Sequence, residues 1–165
     1  MDYVEKALSM GAKHAVKFSI EDIAFDPRVI LKCIFGCGDY GKLSTCPYQR
    51  SPISMEEYQS IFEKYAWGII IGCPDKQSSQ HISYEIERAC FLDGYYFAFS
   101  LSDCGLCVTC VGGKDAQCRI PKKARPAFHS VGIDVFKTVR KFDLPIEVLK
   151  NEDEPQHWYS AVFVE

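Results

Sequence analysis

The apolar positions of this chain fall into alternating helical and strand periods. Asp2 and Glu5 form a helix-cap pattern, Val4, Ala7 and Leu8 repeat with helical spacing, and Gly11 ends the segment. His14, Val16, Phe18 and Ile20 then alternate with Ala15, Lys17 and Ser19, the period of a strand. After the Asp26-Pro27 turn, Val29, Leu31 and Cys33 share one parity, which predicts a short strand that delivers Cys33 to its end. Ser54 and Glu57 make a capping box, and Tyr58, Ile61, Phe62 and Tyr65 follow at i, i+3, i+4 and i+7, an amphipathic helix. Residues 68–73 form an unbroken apolar run before Pro74 and read as a buried strand. A helix is expected from about Ser79, with Ile82, Ile86, Ala89 and Cys90 on one face and Gly94 as its C-cap. Residues 95–101 read as another buried strand. A helix is expected after Pro121 through Val131, and a second one behind the cap Asp134, with Val135, Val139 and Phe142 inward. Residues 146–149 and 158–164 are the last two strands expected, an antiparallel pair across the acidic turn at 151–155.

This alternation predicts an α/β fold: a compact single domain over residues 1–165, with a mixed β-sheet of about five strands flanked by helices. Cysteine-rich loops hang at the strand ends. Two strands matter most for chemistry. The run at 95–101 leads straight into a cysteine loop, and the run at 68–73 ends on Cys73.

Composition narrows the function. Of 165 residues, nine are cysteine, an odd number that fits complete disulfide pairing poorly. The N-terminus carries no charged-then-apolar signal pattern, and no run of 18 apolar residues exists to span a membrane. The expected location is the cytoplasm, where thiols stay reduced and cysteine clusters usually serve metal binding or catalysis. Net charge is −3, yet residues 114–141 hold eight Lys and Arg against two acids. This basic stretch follows the cysteine loop directly. It could offset an anionic cluster, meet an acidic partner, or form the solvated face of two helices. No recognition motif supports nucleic-acid binding, and there is no phosphate-binding glycine motif.

The strongest chemical signal is Cys104-Gly-Leu-Cys107-Val-Thr-Cys110, followed by Cys118-Arg119-Ile120-Pro121. Three cysteines separated by two residues each are the ligand pattern of ferredoxin-type iron–sulfur clusters, with a fourth cysteine from nearby or elsewhere. The spacing suits a cubane because several irons sit a few Å apart and each thiolate can reach a different one. Gly112 and Gly113 let the chain turn back toward Cys118. A zinc site is the rival, although its C-x2-C pairs are usually two and separated. Redox or structural thiols are the third reading. Cys33, Cys37 and Cys46 form a second group at C-x3-C-x8-C inside a glycine-rich loop. Asp39 and Tyr40 lie within it, where turn chemistry and packing outweigh a proton-transfer role. Cys73 and Cys90 read as small buried thiols, and His14 as a buried strand residue rather than a ligand. His129 is expected to be exposed. A cysteine nucleophile would need a base, and none of His81, His129 and His157 can be set beside a particular cysteine.

Taken together, the residues Lys32-Cys33, Cys37, Tyr40-Gly41, Cys46-Pro47, the Cys104, Cys107, Cys110 run, Cys118-Arg119-x-Pro121, Ala124-Arg125-Pro126 and Gly132-Ile133-Asp134-Val135 carry a resemblance. The chain resembles a family of small predicted metal-binding proteins of anaerobic bacteria and archaea, known only as a domain of unknown function. The resemblance spans about Phe18 to Leu149. It implies metal binding at these cysteines and leaves the activity undetermined. Tyr48 departs from the pattern, where a second proline is expected after Cys46-Pro47. Cys73 and Cys90 lie outside it.

The leading functional expectation is a small iron–sulfur protein, with [4Fe-4S] held by Cys104, Cys107, Cys110 and Cys118. It would pass electrons to a redox partner protein. One or two clusters are expected, the second metal site being Cys33, Cys37 and Cys46. If only these three ligate there, one iron stays open to a substrate, and the protein becomes an enzyme. The remaining alternative is a zinc-stabilised or metal-transfer module. No nucleic acid and no membrane are expected as partners, and a homodimer is left open.

Overall fold

The segment Trp67-Gly-Ile-Ile-Ile-Gly-Cys73 contains no charged residue, so it must be covered on both faces. It is β2 (Trp67–Cys73), a central strand of the sheet in this computed structural model, which describes residues 1–50, 53–113, 117–151 and 153–165. With β1 (His14–Ser19), β3 (Phe99–Leu101) and β4 (Trp158–Val164) it forms a four-stranded sheet in the order β1-β2-β4-β3. All three pairings are antiparallel, with Ile70 opposite Val16 and Ala161 in the middle. The α/β class and the flanking helices agree with the sequence reading. The sheet has four strands where about five were expected, and its directions are antiparallel rather than mixed.

Side chains of β2 alternate between two cores. Ile70 joins Phe18, Phe62, Leu101, Phe128, Val139 and Phe163 on one face. Ile69, Ile71 and Cys73 pack on the other against α1 (Tyr3–Ser9) and α5 (Lys76–Leu92) through Ala7, Ile82, Ile86 and Cys90. Each fully buried aliphatic or aromatic side chain of this kind contributes about 1.5–3 kcal/mol. Asp2 caps α1 as expected, accepting from the Val4 and Glu5 N–H groups. α5 starts earlier than the pattern at Ser79 suggested, because Asp75 caps it by accepting from Ser78 N at 2.8 Å. The first face is closed by α4 (Met55–Phe62), which carries the expected Ser54/Glu57 capping box, and by α6 (Val135–Arg140) behind Asp134.

Four segments differ from their expected form. Residues 29–33 belong to the helix α2 (Val29–Gly36), not to a strand. Its residues are apolar at both parities, so alternation could not decide, and Pro27 ahead of it suits a helix start. Of residues 95–101 only Phe99–Leu101 joins the sheet, since Tyr95 N–H still donates to Cys90 O behind the α5 terminus. The expected helix at 121–131 is only the 3-10 turn Phe128–Val131, Arg125-Pro126 interrupting any longer helix. Residues 146–149 are irregular; the chain is held there by Tyr159 Oη donating to Pro145 O at 2.7 Å. Lys114 and Asp115 of the basic stretch and Glu152 of the acidic turn lie outside the described residues. No helix among the described residues is long and apolar enough to cross a membrane.

Candidate metal centre

β3 pairs with β4 in the interior of the fold and delivers the chain to Ser102, which is fully buried. Cys104 follows two residues later. The loop then runs along the first turn of α5: a Cβ on Gly105 would stand 3.0 Å from Gln77 Cα and 3.1 Å from Gln77 N. A side chain there would force the α5 backbone to give by a few tenths of an ångström. This approach sets the Cys104 end of the loop against the first turn of this 17-residue helix. Cys104, Cys107 and Cys118 are partly buried and Cys110 is exposed. Gly112 folds the loop back on itself, since a Cβ there would lie 2.9 Å from Cys118 Cα. Burial pushes the Cys104 thiol up; the Leu106 N–H opposes this, and the charges of Cys118, Cys110 and Cys107 reinforce it. The four cysteines of the strongest motif therefore share one electrostatic neighbourhood.

The second group is built by a helix. Cys33 and Cys37 are four residues apart on α2 and its C-cap, so they stand one above the other on one face. The C-x3-C spacing carried that signal, and the strand reading of the segment obscured it. Cys33 is buried, Cys37 exposed and Cys46 partly buried. Three turn hydrogen bonds bring the chain round to Cys46: Tyr40 N to Cys37 O, Lys42 N to Asp39 O, and Cys46 N to Leu43 O. Asp39 thus serves the turn through its backbone. Gly41, in the left-handed region at φ 66°, points its N–H at Cys46 Sγ, 3.2 Å away. Burial raises the Cys33 thiol, and the charges of Cys37 and Cys46 raise it further. Tyr48, which the sequence marked as a departure, stands on the short helix α3 (Pro47–Arg50) and anchors the end of this loop. Its hydroxyl donates to Ser130 O at 3.0 Å, and its ring packs on Tyr40 with centroids 5.3 Å apart. Burial, followed by the charge of Cys33, raises its pKa above the ordinary tyrosine range and makes it a weaker acid.

The two loops meet. Leu43 and Gly113 form an antiparallel bridge, and Ser44 N–H donates to Gly112 O at 3.4 Å. The Cys110 thiol lies 3.7 Å from that same Gly112 oxygen.

The remaining cysteines stand apart. Cys73 and Cys90 are buried in the core between the sheet, α1 and α5, and burial pushes both thiols up to about 11. His81, His129 and His157 are exposed, while His14 is half-buried on β1.

The donor chemistry fits a thiophilic metal, because the charges acting on Cys33 and on Cys104 are those of other cysteines alone. The geometry is that of donors gathered near one another rather than a closed coordination sphere. Among the described residues, no group of three or more His, Cys, Asp or Glu side chains stands in an arrangement that could hold a metal ion.

Comparison with known proteins gives one family. The model described as Predicted metal-binding protein (DUF2284) matches residues 16–164, which include all nine cysteines. No curated protein and no solved structure matches the chain.

Proposed function

The chain belongs to the family of predicted metal-binding proteins DUF2284, and from that premise we propose that it is an iron–sulfur protein that passes electrons to a partner protein. Cys104, Cys107, Cys110 and Cys118 are the ligands of a [4Fe-4S] cluster in this reading, and Cys33, Cys37 and Cys46 hold a second metal centre. The observation that carries it is the surroundings of Cys104: the charges acting on it are those of Cys118, Cys110 and Cys107. All-thiolate donor sets suit iron–sulfur clusters and zinc, and the C-x2-C-x2-C run favours the cluster.

A cluster so held supplies one-electron chemistry. The chain's own groups tune and expose it. The first turn of α5 packs against Gly105, and the Gly41 N–H donates to Cys46 Sγ. Apolar side chains stand exposed beside both loops: Phe35, 82% exposed, is two residues from Cys37, and Val108 neighbours Cys107. Such surface is what a redox partner would cover. The reading keeps the protein in a reducing cytoplasm.

A second reading rests on the three-cysteine group. With no fourth thiolate, a cubane there keeps one iron for a substrate or small thiol, and the protein is then an enzyme. Comparing wild type with a Cys33→Ser/Cys37→Ser/Cys46→Ser variant tests the assignment. The proposal expects iron to fall by about half, from two four-iron clusters to one. Identical iron content and spectra would leave that triad without a metal role. A perturbed EPR signal on adding a small thiol to the wild type would favour the enzyme.

A further inference from the structure

Two long polar side chains of α5 are buried where apolar ones would be expected. Gln80 is 1% exposed and Glu87 9%. They are seven residues apart, two turns of the same helix face. Burying an amide and a carboxylate costs several kcal/mol unless each finds partners. Both find them, and the partners come in matching pairs from the two limbs of the cysteine loop. Gln80 donates through Nε2 to Lys123 O at 2.9 Å on the returning limb, and accepts from Ser102 Oγ at 3.0 Å on the outgoing limb. Glu87 accepts from Ser100 N at 2.8 Å and Ser100 Oγ at 2.6 Å on the outgoing limb. It also accepts from Arg125 Nε at 2.8 Å on the returning one, completing a two-pronged ion pair with that guanidinium. The limbs are tied directly as well, Ser102 N–H donating to Pro126 O at 2.8 Å. The Arg125 guanidinium lies between Tyr84 and Phe99, 5.4 and 5.2 Å from their ring centroids.

We propose that Gln80, Glu87 and Arg125 are positioning residues that close the neck of the cysteine loop and hold Cys104 and Cys118 at the same place before any metal binds. The role in metal retention rests on the reading that this loop holds a cluster; the closed neck does not. None of the three side chains is a ligand. They act through the limbs: Ser102 lies two residues before Cys104, and Lys123 and Arg125 lie five and seven residues after Cys118. A neck fixed by the fold leaves the metal only the loop itself to order, which lowers the conformational entropy lost on binding.

Two experiments decide it. Hydrogen exchange on metal-free protein reads the neck without any cofactor. The Ser100 and Ser102 amides are expected to stay protected while the amides of Cys104, Cys107 and Cys110 exchange freely. Equal, fast exchange at neck and loop in the metal-free protein, with protection appearing only on metal loading, would overturn the proposal. The second experiment follows loss of the iron chromophore to a chelator. Gln80→Leu removes the ties to Ser102 and Lys123 without unpairing a charge. The double variant Glu87→Leu/Arg125→Met replaces the ion pair with apolar groups, a change that commonly preserves folding. Both are expected to fold cooperatively when metal-free but to melt below wild type, because Ser102 Oγ or the Ser100 N–H and hydroxyl lose their buried partners. They should lose iron several-fold faster even at temperatures where they are fully folded. Arg125→Lys keeps the charge but not the fork and should fall between. Unchanged iron-loss rates in well-folded variants would overturn the positioning role. If the wild type binds no iron at all, the cluster reading fails, and the exchange experiment still decides whether the neck is closed.

Discussion

The two cysteine loops are built on different foundations. The loop from Cys104 to Cys118 leaves a strand in the sheet, and its neck is fastened by buried groups of α5. The loop from Cys33 to Cys46 leaves α2, a short helix without a side-chain N-cap and with Leu31, Ile34 and Phe35 exposed. One set of thiols is positioned by the core and the other by local turns and Tyr48. Equal donor chemistry need not mean equal preorganisation. The first loop should bind metal tightly and hold it; the second should be the more labile and the more open to an added ligand.

The largest effect expected of this contrast is in single serine variants. Cys107→Ser should remove the spectrum of the first cluster, whereas Cys37→Ser should leave that spectrum and lower only the remaining iron. Iron assay with absorption and EPR spectra would check both. If Cys37→Ser abolishes the whole signal, the two loops form one site.

Next is the contact between the loops. Gly112→Ala would set a Cβ 2.9 Å from Cys118 Cα and 3.0 Å from Ser44 Oγ, and overpacking of this kind costs about 1–3 kcal/mol. Both sites should change, because Gly112 lies between them. Gly41→Ala meets no neighbour but forces a side chain into the left-handed region, costing about 1–2 kcal/mol, and should disturb the second site alone. Metal content and thermal melting of the two variants, compared, would expose a failure of this separation.

Tyr48→Phe removes the hydroxyl that contacts Ser130 O and, more weakly, Met55 Sδ, and should cost about 1 kcal/mol, with the change in metal affinity confined to Cys33, Cys37 and Cys46. The smallest effect is with pH. Hydrogen bonds from the Arg28 side chain hold Asp26, just before α2, at a pKa of about 2. A depressed carboxyl contributes stability above its unfolded pKa of about 3.9, and that contribution is lost as pH falls toward the folded value. NMR of metal-free protein between these limits should show shifts at α2 before the neck amides of Ser100 and Ser102 respond.

How much of this could be read from the chain depended on what each segment leaned on. The buried run at Trp67–Cys73, the caps at Asp2, Ser54 and Asp134, and the core roles of Cys73 and Cys90 were legible because each rests on local pattern. The spacing of Cys104, Cys107 and Cys110 was legible for the same reason, and so was the turn at Asp39. The helix at Val29–Gly36 was not, since its apolar residues satisfy either period, and with it went the meaning of C-x3-C as neighbouring helical turns. Gln80 and Glu87 were also illegible: on a surface helix they are ordinary polar residues. Only the return of residues 123–126 to α5 turns them into fasteners, and Pro126 interrupts the helix that the pattern suggested there.

Iron–sulfur binding is decided by the content of iron, zinc and acid-labile sulfide per chain after strictly anaerobic purification, with an absorption spectrum. An iron–sulfur protein should be brown, with iron and sulfide in equal amounts, about four of each for every cluster held. A colourless protein containing zinc and no sulfide would contradict iron–sulfur binding.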